Sequence, residues 1–133
     1  MKPKTYGPLS VTSQEAPQSL QVSNQFGHQY AAGYGESEEF SAPSDLIMSA
    51  LGSCMAVSLQ FVAKQKKLLL GPINITVKAE KAPTFPHRFG SFSLEVSLPD
   101  IEDRTKAEAL IKAAKEICTV SNTLNAEIHV KLI

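Results

Sequence analysis

The segment Pro43-Ser-Asp-Leu-Ile-Met-Ser-Ala-Leu-Gly-Ser-Cys54-Met-Ala-Val-Ser-Leu-Gln-Phe61-Val62 changes the period of the chain. Before it, short stretches alternate. Within it, Ile47, Ala50, Leu51, Cys54, Val57, Phe61 and Val62 recur at steps of three and four, which predicts one apolar face of a long helix. Pro43 suits a first helical turn, and Asp45 adds the negative charge that a helix N-terminus favours. Lys64, Lys66 and Lys67 supply the sign preferred at its C-terminus.

Upstream, Leu9-Ser-Val-Thr, Ser19-Leu-Gln-Val-Ser and His28-Gln-Tyr-Ala-Ala read as three short strands, separated by Pro17 and Gly27. Gly33 to Glu39 reads as a polar loop. Downstream, Gly71-Pro72 punctuates the chain, and Ile73 to Ala79 and Phe92 to Leu98 alternate as strands around an irregular, proline-rich connection. A second helix is expected after Pro99-Asp100, with Glu102 and Asp103 in its first turn. Its apolar stripe is Ala107, Leu110, Ile111, Ala114, Ile117 and Cys118. The last strand is Ala126 to Ile133, with His129 facing away from the core. Strands, long helix, strands, helix, strand is an α+β order rather than a βαβ repeat. With no repeat or linker, residues 1–133 are expected to form a single domain.

Composition narrows the function. Thirteen basic and thirteen acidic residues cancel, which argues against nucleic acid or an anionic membrane as the main partner. The first residues carry no apolar core of a signal peptide, and no run approaches the ~18 apolar residues of a membrane span. A cytoplasmic location is the expectation. In such a reducing compartment two cysteines are reactive or free thiols more often than a permanent bridge. His28, His87 and His129 show no metal-ligand spacing, so no metal is expected. No phosphate-binding loop or nucleophile elbow is present, and no cofactor is expected.

Cys54 and Cys118 lie on the apolar faces of the two predicted helices. A lone buried cysteine usually only packs. Two on helices that share a core make a dithiol possible, and a dithiol can carry redox chemistry. The segment from Pro43 to Ala56, with its Ala-Leu-Gly-Ser-Cys54 close, resembles the first cysteine motif of the OsmC/Ohr family of thiol-dependent hydroperoxide reductases. Cys118-Thr-Val-Ser-Asn-Thr-Leu124 resembles the second, and the spacing of 118 − 54 = 64 residues fits. Thr119 stands where the family usually has proline.

The resemblance implies an intertwined homodimer, with antiparallel sheets wrapped around two central long helices. It implies a peroxidase with an antioxidant, stress-response role that reduces organic hydroperoxides by cycling Cys54 and Cys118 between dithiol and disulfide. Cys54 would attack, Cys118 would resolve, and a thiol reductant such as a lipoyl dithiol would close the cycle. The alternative is a non-catalytic dimer that binds a small apolar ligand, with the thiols incidental.

In the arginine-bearing branch of that family, a guanidinium from the N-terminal strands pairs with the reactive thiolate. Here the two arginines are Arg88 and Arg104, and neither precedes Cys54. The candidates for support are therefore Asp45, at the family's acidic position, Arg88, reaching across a dimer, and His28, from the N-terminal strands. For Arg88 and His28 the plainer reading is an ordinary surface side chain. Without a cation, Cys54 is expected to lean on local hydroxyl and amide donors such as Ser53 and Ser58. Its pKa would then stay high, with reactivity rising between about pH 8 and 9.

Overall fold

The computed structural model describes residues 2–13 and 19–133; Pro17, read as a strand breaker, lies outside them. The chain divides into two compact units, residues 1–47 and 48–133.

In the first unit, β1 (Leu9–Ser13), β2 (Leu20–Asn24) and β3 (Gln29–Ala32) form an antiparallel sheet in that order. Val11, Val22 and Tyr30 stand opposite one another, as do Leu20 and Ala32, so the strand alternation collects them on one face. Val22 and Ala32 are buried, whereas Leu9, Val11 and Tyr30 stay exposed. The β2–β3 turn is built by Asn24, whose Oδ1 accepts from the N–H groups of Phe26 and His28 at 2.9 and 3.1 Å. Gly27 takes the positive φ of 85° that this turn needs.

Helix α1 (Pro43–Gln65) carries Asp45 in its first turn, where Oδ2 accepts from the Ala42 N–H at 3.1 Å. Its other end closes with Leu68 N–H on the Ala63 carbonyl (2.9 Å) and Lys67 N–H on that of Lys64 (3.1 Å). That is a Schellman pair, with Lys67 at φ 56° where glycine is usual.

The buried face of α1 differs from the predicted one. Leu51, Met55, Ser58, Leu59, Val62 and Ala63 are buried. Of the predicted stripe, Val57 and Phe61 are 62% and 54% exposed, and Ala50 is exposed too. The helix is apolar around most of its circumference, so periodicity could not single out the face that meets the sheet. By length and composition α1 would also suffice to cross a membrane, contrary to the expectation that no run approaches that length. A third of that stretch is buried inside the chain, on the side carrying Leu51, Met55, Leu59 and Val62.

In the second unit, β4 (Asn74–Lys81) pairs antiparallel with β5 (Phe89–Ser97), and Val77 faces Leu94. The last strand, β6 (Glu127–Leu132), pairs with β5 in parallel, Leu94 beside Val130. This corrects the expectation of purely antiparallel sheets. The helical crossover after Ser97 is long enough to bring the chain back to the starting edge, which a parallel pair requires. Phe92, Leu94, Val96 and Leu98 are buried from β5 and its end. The backbone of α1 comes close to β4 at Gly52, where a Cβ would stand 3.1 Å from the Val77 Cγ2.

Helix α2 (Arg104–Ile117) begins later than predicted because Asp103 caps it from outside. The carboxylate accepts from the N–H groups of Thr105 (2.9 Å) and Lys106 (3.2 Å). Asp103→Ala should cost about 1 kcal/mol of stability, measured as a lowered urea midpoint with unchanged slope. Ala107, Leu110, Ile111 and Ala114 are buried, but Ile117 is 46% exposed. The helix stops there, Cys118 is extended (φ −71°, ψ 104°), and α3 (Thr119–Thr123) begins at once.

Candidate thiol site

Cys54 sits mid-way along α1 and is half-buried, while Cys118 fills the break between α2 and α3 and is fully buried. Both are free thiols. The break at Cys118 matters because the first amides of a helix have no partner within it. The Cys118 carbonyl accepts from the Asn122 N–H at 3.0 Å, closing the first turn of α3. The N–H groups of Thr119 and Val120 are left free to face the Cys54 sulfur. Thr119 occupies the first position of α3, where the resemblance expects proline, and the break forms without the ring. Its N–H, which proline would lack, is one of the donors to Cys54.

Burial of Cys54 pushes its thiol up, but hydrogen bonds outweigh it. The Val120 N–H, the Cys118 side chain, the Ser58 hydroxyl and the Thr119 N–H together hold the Cys54 pKa below the ordinary thiol value. Cys118 goes the other way. Burial raises it, and donation to Cys54 together with the negative charge there raises it further, more than the amides of Ser121 and Val120 offset. The two thiols therefore differ in proton affinity: Cys54 gives up its proton more readily than Cys118, whose thiol donates to it. The downward direction runs against the expectation that the Cys54 pKa stays high. Ser58 contributes as expected, whereas Ser53 is exposed and is not among the donors.

The other candidates are engaged elsewhere. Arg88 is exposed and wraps its own loop, donating from Nη1 to the carbonyls of Thr84 and Pro86 at 3.0 Å each. His28 belongs to the β2–β3 turn, with Nδ1 3.3 Å from Asn24 Nδ2. Asp45 serves the start of α1. The donors to Cys54 that sequence reasoning missed are the amides of Thr119 and Val120 and the thiol of Cys118. The signal was Thr119 itself, a residue with an N–H directly after the cysteine. Among the described residues no three His, Cys, Asp or Glu side chains gather as a metal cluster. A concavity of about 770 Å³ lined by Tyr6, Leu9 and Phe26 lies in the first unit and includes neither cysteine.

An α+β chain with two hydrogen-bonded thiols between a long helix and a helix break defines a dithiol protein class. The model of the OsmC-like protein family matches residues 35–133, and the chain belongs to that family. Its fold is that of solved relatives at low identity. An OsmC-like protein of unknown function from Vibrio cholerae superposes with a TM-score of 0.86 at 14% identity, covering 98% of this chain and 100% of the other. An organic hydroperoxide resistance protein from Elizabethkingia anophelis gives 0.79 at 22% identity, covering 99% and 96%. The organic hydroperoxide resistance protein of Bacillus subtilis gives 0.76 at 19%, covering 97% and 98%. A search of curated protein sequences finds no match.

Proposed function

We propose that this chain is a cytoplasmic, homodimeric thiol peroxidase that reduces organic hydroperoxides. The observation that carries the reading is the unequal pair: Cys54, whose hydrogen-bond donors lower its pKa, and beside it Cys118, whose pKa burial raises. A peroxidatic cysteine needs the first property, because the thiolate is the nucleophile. A resolving cysteine needs a thiol in contact with the first sulfur. The names of the hydroperoxide resistance neighbours support the same chemistry, and members of the family are typically dimers acting on hydroperoxides.

In the first step the Cys54 thiolate attacks the terminal oxygen of ROOH. The O–O bond breaks, Cys54 becomes a sulfenic acid, and the departing alkoxide takes up a proton as ROH. In the second step the Cys118 sulfur attacks the sulfenic sulfur, a disulfide forms, and water leaves with the Cys118 proton. Two electrons from an external dithiol, a lipoyl group being one of suitable chemistry, return the disulfide to two thiols. The apolar residues around the pair favour an organic peroxide over hydrogen peroxide.

The test is to give the reduced protein one equivalent of cumene hydroperoxide and titrate free thiols. Two thiols lost per chain is the expected result. No loss overturns the proposal and favours a non-catalytic dimer whose apolar concavity binds a ligand.

A further inference from the structure

Ser58 is the one polar residue on the buried face of α1, 6% exposed among Leu51, Met55, Leu59, Val62 and Ala63. Burying a hydroxyl is unfavourable unless it is hydrogen-bonded, and alanine would make the better helix. A serine here therefore calls for a reason. Among the described residues no fully buried side-chain oxygen or nitrogen lacks a partner. Ser58 stands one turn beyond Cys54, the spacing that brings two helical side chains to the same face. Its hydroxyl is hydrogen-bonded to the Cys54 sulfur.

We propose that Ser58 is a working part of the thiol site, donating its O–H to the Cys54 thiolate and sharing the negative charge with the α3 amides and the Cys118 thiol. The inference deepens the peroxidase reading, although the hydrogen bond itself does not depend on turnover. Ser58 keeps its proton throughout: when Cys54 attacks, electron density moves from sulfur to the departing oxygen, and the serine contact weakens as the charge leaves. The groups acting on Cys54 come from both packed elements. Ser58 comes from α1, and the Thr119 and Val120 amides with the Cys118 thiol come from the α2–α3 break. Cys118 is the titratable group among them, and no ionic side chain of the described residues is.

The experiment follows alkylation of Cys54 by iodoacetamide against pH in the full-length protein. It uses a Cys118→Ser background, which keeps a donor and leaves one thiol. Adding Ser58→Ala should slow alkylation at pH 7 by about tenfold, the size expected for losing one hydrogen bond to a charged group. The profile should move to higher pH, with the rates converging once both thiols are ionised. Ser58→Thr keeps the hydroxyl and should stay near the parent profile. A Ser58→Ala profile that overlays the parent overturns the inference, and so does a Thr variant displaced as far as the Ala variant. Peroxide turnover by the Cys118-containing protein is recorded in parallel. A shifted profile without turnover sinks the peroxidase and keeps the Ser58 contact. Turnover with an unshifted profile sinks only the Ser58 contact.

Discussion

Cys54→Ser is expected to bring hydroperoxide turnover down to the uncatalysed background. The serine hydroxyl is not ionised at neutral pH, and the donors around position 54 stabilise an anion that it cannot supply. The two thiols differ in proton affinity because of where they sit. Cys54 collects two backbone amides, a hydroxyl and a thiol, while Cys118 is fully buried beside the negative charge that those donors create. Replacing Cys118 should therefore have a different effect. Cys118→Ser keeps an O–H next to Cys54, so the thiolate and its first attack survive. Without a reductant the reaction stops after one equivalent, with a sulfenic acid at Cys54 that dimedone traps. The measurement is peroxide consumed per chain, with mass spectrometry of the adduct. Full activity in both variants would end the dithiol cycle. A sulfenate that accumulates in Cys54→Ser instead would exchange the two roles.

The alternating strands and the two helices were legible because their apolar periods of two and of three to four are strong signals. The cysteine pair was legible through its flanking motifs. Three features were not, each for a definite reason. Periodicity cannot choose a face on a helix as apolar as α1, so Met55 and Leu59 turned inward while Val57 and Phe61 stayed out. Strand direction is set by the crossover rather than by alternation, so the parallel pairing of β6 with β5 left no mark on Glu127–Leu132. The lowering of the Cys54 pKa draws in part on backbone amides, which carry no side-chain signature. Arg88 and His28, the cations weighed as substitutes, are engaged in their own turns, and hydroxyl and amide donors serve Cys54 as expected, the amides coming from Thr119 and Val120. The amides became available through a break at Cys118 that Thr119, with its N–H, both permits and uses.

Phe61→Glu is expected to turn a stable dimer into a monomer at micromolar concentration. Val57 and Phe61 lie one turn apart on α1, and both are more than half exposed on the isolated chain, at 62% and 54%. The N-terminal sheet likewise leaves Leu9, Val11 and Tyr30 of its apolar face exposed at 55%, 56% and 45%. A second copy of the chain is the covering partner that the proposed function calls for. In a two-fold dimer each of these residues is buried twice. Phe61 is 54% exposed before association, so covering it contributes about half of the 1.5–3 kcal/mol of a full burial, or about 1.5–3 kcal/mol over both protomers. At about 1.4 kcal/mol per tenfold that weakens association by roughly one to two orders of magnitude. Glutamate adds the cost of desolvating a charge on each side. Sedimentation equilibrium across a concentration series reads the result directly. A parent chain that is already monomeric at micromolar concentration overturns the dimer. A Phe61→Glu variant that associates as tightly as the parent shows that the interface lies elsewhere. Because Cys54 lies on α1 one turn before Val57–Ser58, the same series followed by thiol alkylation separates assembly from reactivity. A monomer whose Cys54 still reacts at the parent rate shows that the thiolate is held by its own chain, as the contacts from Ser58, Thr119 and Val120 require.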